Sequence, residues 1–245
     1  MKVLVTVGIF PPDIGGPATF VPKIVNYFQN ELNYEIEILT LSDSKNLDIK
    51  DRFFVKRIDR NLPIIYRWLK TIFTIYKLGK NKDLIFVNGL GTESTIANIF
   101  LKKKIIRKIV GDPVWERAYN KGKVSENFDE FQVRNYGFSI SLQKKVRSFS
   151  IKNSDLVITP SQHLKNFILN LGFKNKIETI NNGINIPVES AKKFTNDQTN
   201  ITIVSRLVTH KNIEKIIAAI SDLNNSLIKL NIIAVSYTHL TLPTT

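Results

Sequence analysis

The stretch from Met1 to Phe28 constrains the fold more than any other. An apolar, β-branched run, Val3 to Phe10, leads into PPDIGGP. Residues with apolar side chains at helical spacing follow: Phe20, Val21, Ile24, Val25 and Phe28. A short run that is apolar on both faces suits a strand buried in a parallel sheet. Pro11 and Pro12 end that strand, and Pro17 fits the first turn of the following helix, where its missing N–H costs nothing. Gly15 and Gly16 let the backbone take positive φ and come close to a ligand. The free N–H groups of the helix face the loop, an arrangement that suits an anion. The same residues also suit an ordinary first βα unit with glycine placed for packing. The loop is not GxGxxG, so an NAD fingerprint is not supported.

The pattern then repeats. Strands are expected at Glu35–Leu41, Phe53–Ile58, Leu84–Val87, Ile105–Val110, Leu156–Thr159 and Ile177–Ile180. Helices are expected over Ile64–Lys80, from Thr92 or Ser94 as cap to Leu101, over Gly137–Asn153, and from Ser161 to a stop at Gly172. In the Ile64–Lys80 helix the apolar stripe Ile65, Trp68, Leu69, Ile72, Phe73 and Tyr76 is the expected core face. Residues 114–136 show no regular pattern. Alternating strands and helices predict an α/β fold with a parallel sheet, and ligands of such sheets gather at the carboxyl ends of the strands. Three loops leave those ends: Gly8–Gly16, Asn88–Glu93 and Gly111–Glu116. All three combine glycine with polar groups, which makes Gly15, Gly16, Asn88, Glu93, Trp115 and Glu116 candidate substrate contacts.

The chain restarts after Pro187. Residues 187–200 are polar and aperiodic and read as a linker. A strand follows at Ile201–Ser205, then a loop to Lys211, Asn212 as an expected N-cap, a helix with Ile213, Ile216, Ile217 and Ile220 on one face, and a strand at Leu227–Val235. The expected organisation is a first domain over 1–186, a linker, and a partial second domain over 201–235. About 45 residues hold too little apolar surface to make a domain alone, so the second is expected to be incomplete. The last ten residues, SYTHLTLPTT, carry no Asp, Glu, Lys or Arg and read as a non-native tail over 236–245, although a genuine short C-terminal strand and tail would fit the same residues.

Composition removes several classes. At 43% hydrophobic residues the chain can bury a core, which excludes disorder. With no cysteine there is no disulfide and no Cys-based zinc site. His163 and His210 have no partners at metal spacing, so no metal is expected. No apolar run reaches the roughly 18 to 20 residues of a membrane-spanning helix, and the N-terminus lacks the apolar segment of a secretory signal. A cytoplasmic protein is expected. The formal net charge of +14 favours an anionic partner. Basic residues concentrate at 67–80, 102–108 and 144–152. Amphipathic basic helices suit an anionic membrane surface, here the inner leaflet.

Between the Ile201 strand and its helix lies SRLVTHKN. Arg206 and Lys211 can both reach one anion there, and the helix dipole adds to them. The match to a diphosphate is direct, although two solvated surface cations would fit the same pattern. With this segment, four motifs stand in order: PPDIGGPAT, SDLVITPSQHLKNFI, INNGIN and SRLVTHKN. Together they resemble glycosyltransferase family 4, and KIVGDPVWERA resembles a bacterial branch of it with a GDxxWE segment.

The resemblance implies two Rossmann-like domains of the GT-B type, with a nucleotide-sugar held between them. It implies a retaining, metal-independent transfer with no cofactor. Arg206 and Lys211 would stabilise the leaving diphosphate, and Gly15 and Gly16 would approach donor and acceptor. Asn182 falls in the family's NGxD turn. A histidine that many members place near the GD position is missing here, and Asp112 is the expected substitute, with Glu116 four residues on. An Asp before Pro also simply begins a turn. Asn185 replaces the usual Asp, Ser205 and Asn212 replace usual glycines, and the family's two-glutamate segment is not in this sequence. The implied partners are a nucleotide-sugar and a glycan or polyprenyl lipid-linked acceptor of the cell envelope. The chain as it stands is expected to be inactive. Two other classes fit less well: a basic nucleic-acid-binding α/β protein, and another two-Rossmann enzyme such as a sugar-nucleotide epimerase. The first needs aromatic residues interleaved with the cations, and the aromatic residues of 64–76 follow the apolar stripe instead.

Overall fold

A computed structural model describes residues 1–43, 52–183, 199–205 and 207–234. The linker residues up to 198, Arg206 and the 236–245 tail lie outside the described residues. The chain divides into two compact units. The first joins Met1–Asp112 to Tyr136–Gly183, and the second holds Pro113–Asn135 and the described residues beyond Ile184.

The first unit is a parallel sheet of seven strands in the order β3-β2-β1-β4-β5-β6-β7. The strands are β1 (Lys2–Val7), β2 (Glu35–Ser42), β3 (Phe54–Asp59), β4 (Leu84–Asn88), β5 (Lys104–Lys108), β6 (Leu156–Thr159) and β7 (Lys176–Thr179). All six neighbouring pairs are parallel. This is the doubly wound order, with its reversal between β1 and β4. The helices are α1 (Gly16–Asn30), α2 (Ile64–Gly79), α3 (Gly91–Leu101), α6 (Phe138–Lys152) and α7 (Gln162–Asn170). Alternation in β1 divides the core. Val3, Val5 and Val7 pack with Val21 and Val25 of α1. Leu4 points the other way and packs with Ile75 of α2 and Ala97 of α3.

β1 ends at Val7, short of the expected Phe10. Phe10 is nevertheless fully buried, edge-on to Phe53 at 6.1 Å. Gly15 has φ 155° and ψ 170°, a conformation that side-chain-bearing residues avoid, and Pro17 occupies the first turn of α1. Ser161 caps α7 as expected, its Oγ accepting from the Leu164 N–H at 3.3 Å.

Three expectations are corrected. α3 begins at Gly91 after Leu90 in a left-handed conformation, not at a Thr92 or Ser94 cap. Ser94 instead faces inward, where its Oγ donates to the Leu90 carbonyl at 2.8 Å and lies 3.0 Å from Thr6 Oγ1. Residues 114–136 are not irregular, since α4 (Pro113–Asn120) and α5 (Phe128–Val133) lie there. Asn127 caps α5 by accepting from the Glu130 N–H at 2.9 Å. Two helices this short span too few turns for periodicity to show. In α2 the buried positions are Thr71, Ile75 and Gly79. Ile65, Leu69 and Phe73, expected in the core, are exposed.

The second unit contains α4, α5, the parallel pair β8 (Thr199–Ser205) and β9 (Ile228–Ala234), and α8 (Ile213–Asp222). Asn212 occupies the N-cap position of α8, as expected, but in a left-handed conformation and without a side-chain capping bond.

Candidate functional site

The first unit presents a cavity of about 390 Å³ at the carboxyl ends of its strands. Each wall follows from the fold. α1 starts directly after the β1 loop and contributes Gly16, Pro17, Thr19, Phe20 and Lys23. Asn88 is the last residue of β4, Lys108 is the last of β5, and Asn182 and Gly183 follow β7. The cavity therefore lies beside the strand-order reversal, where α/β sheets bind ligands.

Its chemistry is cationic. The lining includes two lysines and no carboxylate, and the N-terminus of α1 adds its partial positive charge. Lys108 Nζ stands 3.4 Å from the centroid of the Phe20 ring and donates to Asn182 Oδ1 at 2.8 Å. These two contacts orient the ammonium. Burial pushes the Lys108 pKa below its ordinary value. An ammonium partly stripped of water beside a helix N-terminus is a costly arrangement that an anion would relieve.

Gly16, Asn88 and Asn182, expected from the sequence, meet in this cavity. Gly15 precedes Gly16 in the same loop. The cavity also takes in Phe20, Lys23 and Lys108, which the sequence pattern does not mark as site residues. In the sequence Lys108 belongs to a basic stretch and Phe20 to the apolar face of α1. The signal for Lys108 was its place at the end of a strand.

The other expected residues lie elsewhere. Asp112 is fully buried in an ion pair with Arg147 of α6. Burial lowers the Arg147 pKa and the Asp112 charge offsets part of that. Glu93 sits in the first turn of α3, and its charge acts on Arg107 of β5. Arg107 is itself interior. Its Nε donates to Ser154 Oγ at 2.8 Å and its Nη2 to Thr95 Oγ1 at 2.9 Å. Burial lowers its pKa to about 10. Arg107 and Arg147 thus leave the expected basic surface.

In the second unit Trp115 is the centre of an aromatic cluster, with ring centroids 5.4 Å from Tyr119, 5.7 Å from Phe128 and 6.0 Å from His210. Its Nε1 donates to the Glu126 carbonyl at 3.1 Å. His210 Nδ1 is 3.0 Å from Asn120 Oδ1. Glu116 lies in the first turn of α4, half-buried. Lys211 is exposed in a short 3-10 turn, Thr209–Lys211, ahead of α8. Among the described residues no group of three His, Cys, Asp or Glu could hold a metal.

Comparison with known proteins agrees with this architecture. An uncharacterized glycosyltransferase of Methanocaldococcus jannaschii is 27% identical over 97% of this chain and 64% of its own length. The chain therefore spans less than two thirds of that relative. Among solved structures, HepE of Anabaena, determined with UDP and glucose, has a TM-score of 0.62 at 15% identity, over 96% of this chain and 62% of its own. The lipopolysaccharide outer core galactosyltransferase WaaB has a TM-score of 0.61 at 13% identity, over 95% and 68%. A UDP-N-acetylglucosamine 2-epimerase fold from Listeria monocytogenes has a TM-score of 0.57 at 14% identity, over 98% and 63%. At these identities the structures share the fold. The model for Glycosyltransferase Family 4 matches residues 14–187, from the β1 loop past the β7 turn. The chain belongs to glycosyltransferase family 4.

Proposed function

We propose that this chain belongs to an enzyme that transfers a sugar from a nucleotide-sugar to a glycan or lipid-linked acceptor, with retention, its first unit forming the acceptor side. The observation that carries the acceptor side is the cationic cavity, with two lysines, a helix N-terminus and no carboxylate. It suits a phosphate or diphosphate, with Asn88 and Asn182 offering amide groups to hydroxyls. Lys108 is the principal charge contact, held by Phe20 and Asn182.

In the transfer, the acceptor hydroxyl oxygen forms a bond to the anomeric carbon. The bond from that carbon to the diphosphate breaks, and the nucleoside diphosphate leaves with the electron pair. The hydroxyl proton passes to the departing phosphate on the same face. Stabilising the leaving charge is then the main task, assigned to Arg206 and Lys211. No metal or other cofactor is required by this scheme. A cytoplasmic enzyme drawing on soluble donors fits it.

Binding of inorganic pyrophosphate tests the cavity. Lys108→Met should weaken it about ten-fold, the value of one charge-assisted hydrogen bond. Binding needs the ammonium form, so affinity should fall as pH rises through the depressed Lys108 pKa, below the ordinary 10.5. Unchanged pyrophosphate affinity in Lys108→Met by calorimetry would remove the cavity from the proposal. This chain is expected to turn over little or no donor; incubation with a panel of nucleotide-sugars checks that, and anomeric analysis of any product separates transfer from epimerisation.

A further inference from the structure

The face of α2 turned away from the sheet is neither core nor an ordinary polar surface. Its inward positions are the small or compact Thr71, Ile75 and Gly79, and a Cβ on Gly79 would collide with Leu101 of α3. This side of α2 packs against α3. Ile65, Leu69 and Phe73 lie in solvent, one turn apart, with Phe73 67% exposed. Phe100 at the end of α3 continues the patch at 72% exposure, joined to α2 by an edge contact with Tyr76 at 6.4 Å.

Cations border it. Lys70 Nζ lies over the Tyr66 ring at 5.9 Å and Lys80 Nζ over the Tyr76 ring at 4.7 Å. Lys77 is exposed on the same side of α2. From Arg60 to Lys82 the sequence contains no Asp or Glu. An apolar stripe with aromatic residues, with lysines beside it and no acidic residue in the helix, has the composition of a helix lying in a lipid interface. A second copy is a poor occupant, because a two-fold contact would set lysines against lysines.

We propose that the outward face of α2, with Phe100 of α3, docks the protein on an anionic bilayer surface. Ile65, Leu69 and Phe73 enter the acyl boundary, while Lys70, Lys77 and Lys80 remain among the phosphates. This deepens the acceptor side of the proposed function, where a lipid-linked acceptor would be met at that surface. It is read by binding alone, so vesicle binding without turnover, or turnover without vesicle binding, separates the two.

The test is flotation of the 245-residue protein with phosphatidylcholine vesicles, with and without phosphatidylglycerol. Binding should appear with the anionic lipid and weaken as salt rises. L69S/F73S should lower partition roughly 100-fold, by removing two apolar side chains from the interface. K70Q and K77Q should each lower it about 5-fold on anionic vesicles only. All these side chains are exposed, so unfolding midpoints serve as the control. If L69S/F73S fails to fold, the two lysine variants still decide. No preference for anionic lipid, or binding indifferent to these substitutions, overturns the proposal. So does a dimer in solution that L69S/F73S converts to monomer, which would make the face an interface between copies.

Discussion

Asp112→Ala is expected to destabilise the chain by about 3–5 kcal/mol, because it leaves the Arg147 guanidinium buried without its counter-charge. The Asp112 side chain has no exposed surface and that of Arg147 is 8% exposed, so water cannot take the place of the lost partner. The double substitution Asp112→Ala/Arg147→Met should recover most of the loss, since an apolar pair in such a site is often neutral. Urea unfolding of the two single variants and the double variant gives the coupling. A loss below about 1 kcal/mol for Asp112→Ala would show that the ion pair between the loop after β5 and α6 contributes little to stability. The result also governs any activity assay. A turnover defect in Asp112→Ala is evidence of substrate contact only if the folded fraction is unchanged.

Gly89→Ala is expected to cost about 3 kcal/mol, the upper part of the range for overpacking. Gly89 follows β4 where that strand's loop crosses the end of β1. A Cβ there would overlap the backbone nitrogen of Gly8, and would lie 3.1 Å from the Val7 carbonyl carbon and 3.2 Å from its Cα. All three atoms are backbone, so no rotamer change relieves the clash. The strand ends must separate, and the Thr6 hydroxyl, which donates to the Gly89 carbonyl at 3.1 Å, loses its geometry. Asn88 moves with them, so pyrophosphate binding should weaken along with stability. Thermal unfolding and calorimetry on the same variant check both. A wild-type melting temperature would contradict the close approach.

Much of the α/β frame was legible because it follows from local pattern. Strands in a buried parallel sheet are apolar on both faces, and the runs at Val3 and Leu84 announce themselves. Ser161 and Pro17 are local signals with local outcomes, and both sit where expected. The cap at Ser94 failed because its hydroxyl found partners at Leu90 and Thr6, the latter distant in sequence. The face of α2 failed for another reason. A 3.6-residue period says that an apolar stripe exists but not whether protein covers it, and the small residues Thr71 and Gly79 set the close side.

Residue order alone carries the alternation of strands and helices, the glycine loop at the first strand's end and the family. These depend on residue order and on spacings of a few positions, which survive without any tertiary contact. What each cation does depends on tertiary contacts. Arg107 and Lys108 are neighbours in β5, yet one is held in the interior by Ser154 and Thr95 and the other reaches the cavity by Asn182. Strand alternation sends adjacent side chains to opposite faces, and their fates then depend on what other segments bring there. For Lys108 that was Phe20, 88 positions earlier in the chain, and Asn182, 74 positions later.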